Sequence, residues 1–180
     1  MIQELPDNFC NLLVKGGLQF NPPSDFILIA PKENDSVAYQ CVFALSEPKL
    51  EIRYQIVSLK PQTLPEGYTS IASADLNSAY NPYLASLIFN IAEDHVISGP
   101  NLLPEDTVQR EFNANYGHAT RLVLPLSRFG EGFNECLLFS LHRDDVADVY
   151  VFFMFDDFDK VAETMGSNFH TLTFREKIEP

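Results

Sequence analysis

Residues 149–155 are apolar without a break: Val149, Val151, Phe153 and Phe155 fall on one side of an extended chain, and Tyr150, Phe152 and Met154 on the other. A strand that must shed water from both sides belongs at the centre of a sheet covered on both faces. Its surroundings reinforce this. Residues 135–142 alternate as a second apolar strand, the acidic turn Asp144-Asp145 follows, and Phe158, Val161, Ala162 and Met165 mark one face of a helix directly after. The fold class implied is α+β, an antiparallel sheet of about six or seven strands sandwiched between helices.

The rest of the chain supplies the other layers. Phe9, Leu12 and Leu13 share a helical face over residues 5–14, stopped by Gly16-Gly17. Phe26 to Ile29 form a short apolar run between prolines, which suits an edge strand. Residues 38–45 and 50–59 alternate and are close enough for a hairpin. Tyr39, Cys41, Phe43 and Leu45 share one face, and Ile52, Tyr54 and Ile56 oppose Glu51, Arg53 and Gln55. Both strands therefore read as one-sided, with a bulge expected near Ile56 and Val57, where the apolar face changes. Residues 60–76 lack a period and read as a connection. Asn81-Pro82 predicts a helix start, with Leu84, Leu87, Ile88 and Ile91 buried and Tyr83, Phe89 and Ala92 widening the stripe. That helix ends before Gly99-Pro100. A more polar helix begins at Pro104, buries Val108 and Phe112, and ends at Gly117; a strand over 118–127 follows.

With 180 residues, 46% of them hydrophobic and 15 of them Phe, the chain reads as one globular domain spanning 1–180. A net charge of −13 repels phosphate backbones and anionic lipid, so neither nucleic acid nor a membrane is an expected partner; another protein is. The first residues carry no basic leader and no stretch approaches the roughly 20 apolar residues of a membrane span, so a cytoplasmic location is expected. Cys10, Cys41 and Cys136, odd in number and widely spaced, read as free thiols.

Chemistry is weakly signalled. Asp144, Asp145 and Asp148 match the spacing of an aspartate-rich magnesium motif, but that motif works on a helix, and between two strands the same residues read as a solvated turn that offers charge to a partner. They are the candidate binding residues. His95, His118, His142 and His170 show no metal-ligand spacing, so no metal and no cofactor is expected. Ser46 and Lys49 fit a Ser-x-x-Lys pattern that Pro48 deprives of its helix, and Gly130-Glu131-Gly132 lacks the third glycine of a dinucleotide loop. A non-catalytic binding or accessory (assembly) role is expected; the alternative is a small enzyme whose site is formed at the sheet end by His and acidic residues distant in sequence.

The order of elements resembles the PsbP-like fold, shared by the extrinsic photosystem II protein and the Mog-type Ran-binding nuclear import factor. The resemblance is carried most specifically by Val149-Tyr150-Val151-Phe152-Phe153, the helix after it, and Phe169-His170-Thr171-Leu172-Thr173-Phe174. It implies a domain that binds other proteins or assists assembly, and assigns no residue a role.

Overall fold

The computed structural model describes residues 4–34, 37–60, 76–93, 95–125 and 129–175. Helix α1 (Asp7–Lys15) leads into β1 (Leu18–Phe20), β2 (Ile27–Ile29), β3 (Cys41–Leu45) and β4 (Leu50–Ser58). The expected connection over 60–76 lies almost wholly outside the described residues. A 3-10 turn (Leu76–Ala79) then enters α2 (Tyr80–Ala92), followed by β5 (Val96–Leu102), α3 (Glu105–Phe112), β6 (Tyr116–Val123), β7 (Glu135–Arg143), β8 (Ala147–Phe155) and α4 (Phe158–Gly166). A second 3-10 turn (Phe169–Thr171) runs into β9 (Leu172–Phe174).

Seven strands pair in the order β2-β3-β4-β8-β7-β6-β5, every neighbour antiparallel, and β1 pairs with β9 as a separate ribbon. The two-faced strand β8 occupies the middle place, and all nine of its residues are buried. Its odd-numbered residues join one core with Phe9 of α1, Val108 and Phe112 of α3, Val161 and Met165 of α4, and the β1–β9 ribbon. Its even-numbered residues join another, beneath α2, with Leu84, Leu87, Ile88 and Ile91. The sheet is therefore sandwiched between helices, as its central strand requires. At the start of α4, Asp157 caps the helix by accepting from the Asp159 N–H at 3.2 Å.

Several local expectations are corrected. Glu51, Arg53 and Gln55 do not face water: all three are buried under the α2 side of the sheet. Arg53, 1% exposed, pairs with Glu51 at 2.5 Å, donates to the Phe129 carbonyl, and lies between the rings of Tyr39 and Phe129, 5.0 and 4.8 Å from their centroids. Satisfied in this way, a guanidinium can sit in a core layer. Strand β4 carries no bulge. Its register with β8 runs unbroken from Leu50↔Phe155 to Ser58↔Ala147, because a polar face buried by partners needs no switch of sides.

Tyr39 lies outside β3 and packs against the α2-side core. Helix α2 starts at Tyr80 rather than after Asn81, drawn back by burial of the Tyr80 ring, while Phe89 is left in solvent. Residues 96–102, where no strand was expected, form the edge strand β5. Gly99 and Pro100 disguised it, and its pairing with β6 shifts register twice around them. Helix α3 ends at Asn113 in the left-handed conformation (φ 53°), not at Gly117, which lies within β6. There a Cβ would meet the Ser140 carbonyl oxygen at 2.6 Å, so the glycine permits close strand approach.

Candidate functional site

The hairpin joining β7 to β8 turns through Asp144, Asp145 and Val146, with Asp145 at φ 60°, a conformation its short side chain tolerates. Antiparallel pairing about this turn sets His142 directly opposite Asp148. His142 Nδ1 lies 2.5 Å from Asp148 Oδ1, both residues being buried, and His142 Nε2 lies 2.9 Å from Asp144 Oδ1. An imidazole with a carboxylate on each nitrogen is held as the doubly protonated cation, donating from both. Burial, the largest influence, pulls the His142 pKa down, but the hydrogen bonds and charges of Asp148 and then Asp144 outweigh it and raise the value above that of ordinary imidazole.

Around this cation lies an aromatic and polar shell under the start of α2. The Tyr116 ring stacks on His142 at 4.5 Å, and Tyr80 lies 5.1 Å from it. The Tyr80 hydroxyl is 2.7 Å from Ser140 Oγ and 3.2 Å from His118 Nδ1. Burial lowers the His118 pKa and raises those of Tyr80 and Tyr150, so these groups stay neutral near pH 7. Gln55 donates to the Tyr83 hydroxyl at 2.6 Å, and Gln55 Oε1 has no hydrogen-bond partner among the described residues.

Asp144 and Asp145 are exposed in the turn, and its backbone is braced by its neighbours. The Asp144 N–H donates to Asn115 Oδ1 (2.9 Å), Asn115 N–H donates to the His142 carbonyl (2.8 Å), and Leu59 N–H donates to the Val146 carbonyl (3.0 Å). Asn77 binds Asp145 twice, accepting from its N–H at 2.8 Å and donating to Oδ1 at 3.0 Å. Of the three aspartates singled out in the sequence, Asp144 and Asp148 meet on His142, Asp145 turns to Asn77, and Asp148 lies inside the sheet rather than in the turn. Among the described residues no group of three or more His, Cys, Asp or Glu is arranged to hold a metal ion.

Sequence reasoning missed His142, Tyr80 and Tyr116. A three-residue turn centred on Asp145 was the available signal, since it forces residues 142 and 148 face to face.

Beside the cluster, at the sheet end, a cleft of about 380 Å³ is lined by Leu102, Leu103, Glu105, Gln109, Asn115, Tyr116 and Asp144. A cleft of about 440 Å³ beside α4 carries Asp25, Glu47 and Glu163, and none of its described titratable lining residues is buried. His170 stacks on Phe112 and reaches Glu111 at the surface. The thiols of Cys41 and Cys136 are buried and free; burial pushes the Cys41 pKa up to about 12 and that of Cys136 higher, which suits neither for nucleophilic work. No described helix is long and apolar enough to cross a membrane.

No family model and no curated protein matches this chain. Among solved structures, the solution structure of cyanobacterial PsbP (CyanoP) from Synechocystis sp. PCC 6803 is similar over 89% of this chain and 88% of that one, at 14% identity and a TM-score of 0.46. That likeness concerns the fold alone and assigns this chain no role.

Proposed function

We propose that this chain is a cytoplasmic, non-catalytic accessory protein that docks a partner protein bearing basic groups. The observation that carries this reading is large apolar side chains left in water: Phe89 of α2 is 62% exposed, Ile97 of β5 47% and Leu102 of β5 66%. Apolar contacts of this kind provide affinity, while a net charge of −13 steers a basic partner toward them and repels nucleic acid and anionic membrane. Asp144 and Asp145, exposed on their braced turn, add directed negative charge, whereas Asp148 contributes from within by fixing His142.

Catalysis draws support from one observation, the convergence of His142, Asp144, Asp148 and Tyr116 at the sheet end. Against it, His142 is fully buried with both nitrogens engaged, which leaves no free imidazole facing the cleft.

Photo-cross-linking residues placed at Phe89, Ile97 and Leu102, with Val14 on α1 as control, test the docking reading in extract at low and high salt. The expected result is one adduct from the three test positions, weakened by salt. Equal labelling from Val14, or no adduct at any position, would overturn it.

A further inference from the structure

We propose that the cleft at the sheet end receives an arginine side chain from the partner. This deepens the docking reading and rests on it. The cleft is formed where the end of β5, the first turns of α3, the start of β6 and the β7–β8 turn come together, and its lining divides by chemistry. Leu102, Leu103 and Tyr116 offer apolar and aromatic surface to a methylene stem. Asp144 and Glu105 offer two carboxylates to its head, and Gln109 and Asn115 offer amides; none of the described residues lining the cleft is Lys or Arg.

Each carboxylate has one oxygen engaged within the protein. Asp144 Oδ1 accepts from His142 Nε2 at 2.9 Å and Glu105 Oε1 from Gln109 Nε2 at 2.9 Å. Among the described residues the second oxygens, Asp144 Oδ2 and Glu105 Oε2, accept no hydrogen bond from the protein. Two acceptors on separate elements suit a planar guanidinium, which donates in several fixed directions, better than an ammonium ion acting as a point charge. The His142 cation does not cancel this attraction, because Asp148 balances its charge from the buried side.

The brace behind Asp144 makes the acceptor a held one. Its backbone is tied to Asn115 and its side chain to His142, so little further ordering is needed when a ligand arrives.

The test is a two-dimensional NMR titration of the intact protein with N-acetyl-arginine amide, beside the citrulline and lysine derivatives. Arginine is expected to give saturable shifts centred on Leu103, Tyr116 and Asp144, lysine to bind more weakly and neutral citrulline not to saturate. Glu105→Gln, in an exposed first helical turn, is expected to weaken arginine binding about fivefold, the worth of one exposed charge pair, and Asp25→Asn in the distant cleft to leave it unchanged. Citrulline or lysine binding as well as arginine, shifts spread over the whole acidic surface, or an unaffected Glu105→Gln variant would each overturn the proposal. Because the probe is one amino-acid derivative, this result is independent of the cross-linking outcome: a saturable cleft without a captured partner points to the wrong docking face, and a captured partner without arginine binding to the wrong cleft.

Discussion

His142 and Asp148 face each other across the β7–β8 register with Nδ1 and Oδ1 2.5 Å apart, and both are buried. Losing the carboxylate while keeping the imidazole leaves a buried cation short of a partner. Asp148→Ala is expected to destabilise the fold by about 3 kcal/mol in urea unfolding, and Asp144→Ala, whose carboxylate is half exposed, by less than about 1 kcal/mol. Equal losses would show that the buried partner is not the dominant one.

The same pair sets a pH dependence. Because the folded-state pKa of His142 is raised, its stabilisation is present in full below the ordinary imidazole value of 6.5 and is lost as pH climbs through the folded-state value. Urea midpoints of the wild type are expected to fall as pH rises above 6.5 through the folded-state value, and those of His142→Gln to stay flatter over the same range. Parallel curves for the two proteins would contradict this assignment.

Glu51 and Arg53 form a buried pair whose two charges answer each other. Glu51→Leu alone is expected to cost about 3–5 kcal/mol, because Arg53 stays buried without its carboxylate, while Glu51→Leu combined with Arg53→Met recovers most of that loss. A double-mutant cycle by chemical denaturation measures both; an additive result would mean that the pair is not coupled.

Phe153 lies at the centre of β8 and is fully buried. Truncation to alanine leaves a cavity in a layer closed by helices, and a loss of about 3–5 kcal/mol in the unfolding free energy is expected. A loss under about 1 kcal/mol would imply that the layer collapses to fill the space.

Thiol labelling separates the cysteines. At pH 8, Cys10, which is partly exposed, is expected to react with a maleimide in the folded protein, while Cys41, with its pKa pushed to about 12, and Cys136 react only after unfolding. Mass spectrometry of the labelled peptides reads the order directly.

Much of the architecture was legible from side-chain periodicity. The central place of β8, the edge place of β2 and the helices α1, α3 and α4 all follow from which residues need to leave water. Strand β5 was not legible, since Gly99 and Pro100 signal a break and every residue of that strand is exposed. Nor was the polar layer of Glu51, Arg53 and Gln55, which alternation assigns to solvent although partners from the loop at Phe129 and from α2 bury it. The candidate site was half visible: its aspartates stood out as a cluster, but the histidine that organises two of them was passed over as an ordinary strand residue.

What the sequence determined by itself is the demand that residues 149–155 be covered on both sides, because their hydrophobicity is a local property carried by each side chain. Which polar residues share that interior was decided only by the tertiary structure. Burial of Asp148 is tolerable because strand pairing sets His142 opposite it, and burial of Arg53 because Glu51 and the Phe129 carbonyl reach it. These are relations between residues that the folded sheet brings together, and the character of any one of them alone does not contain them.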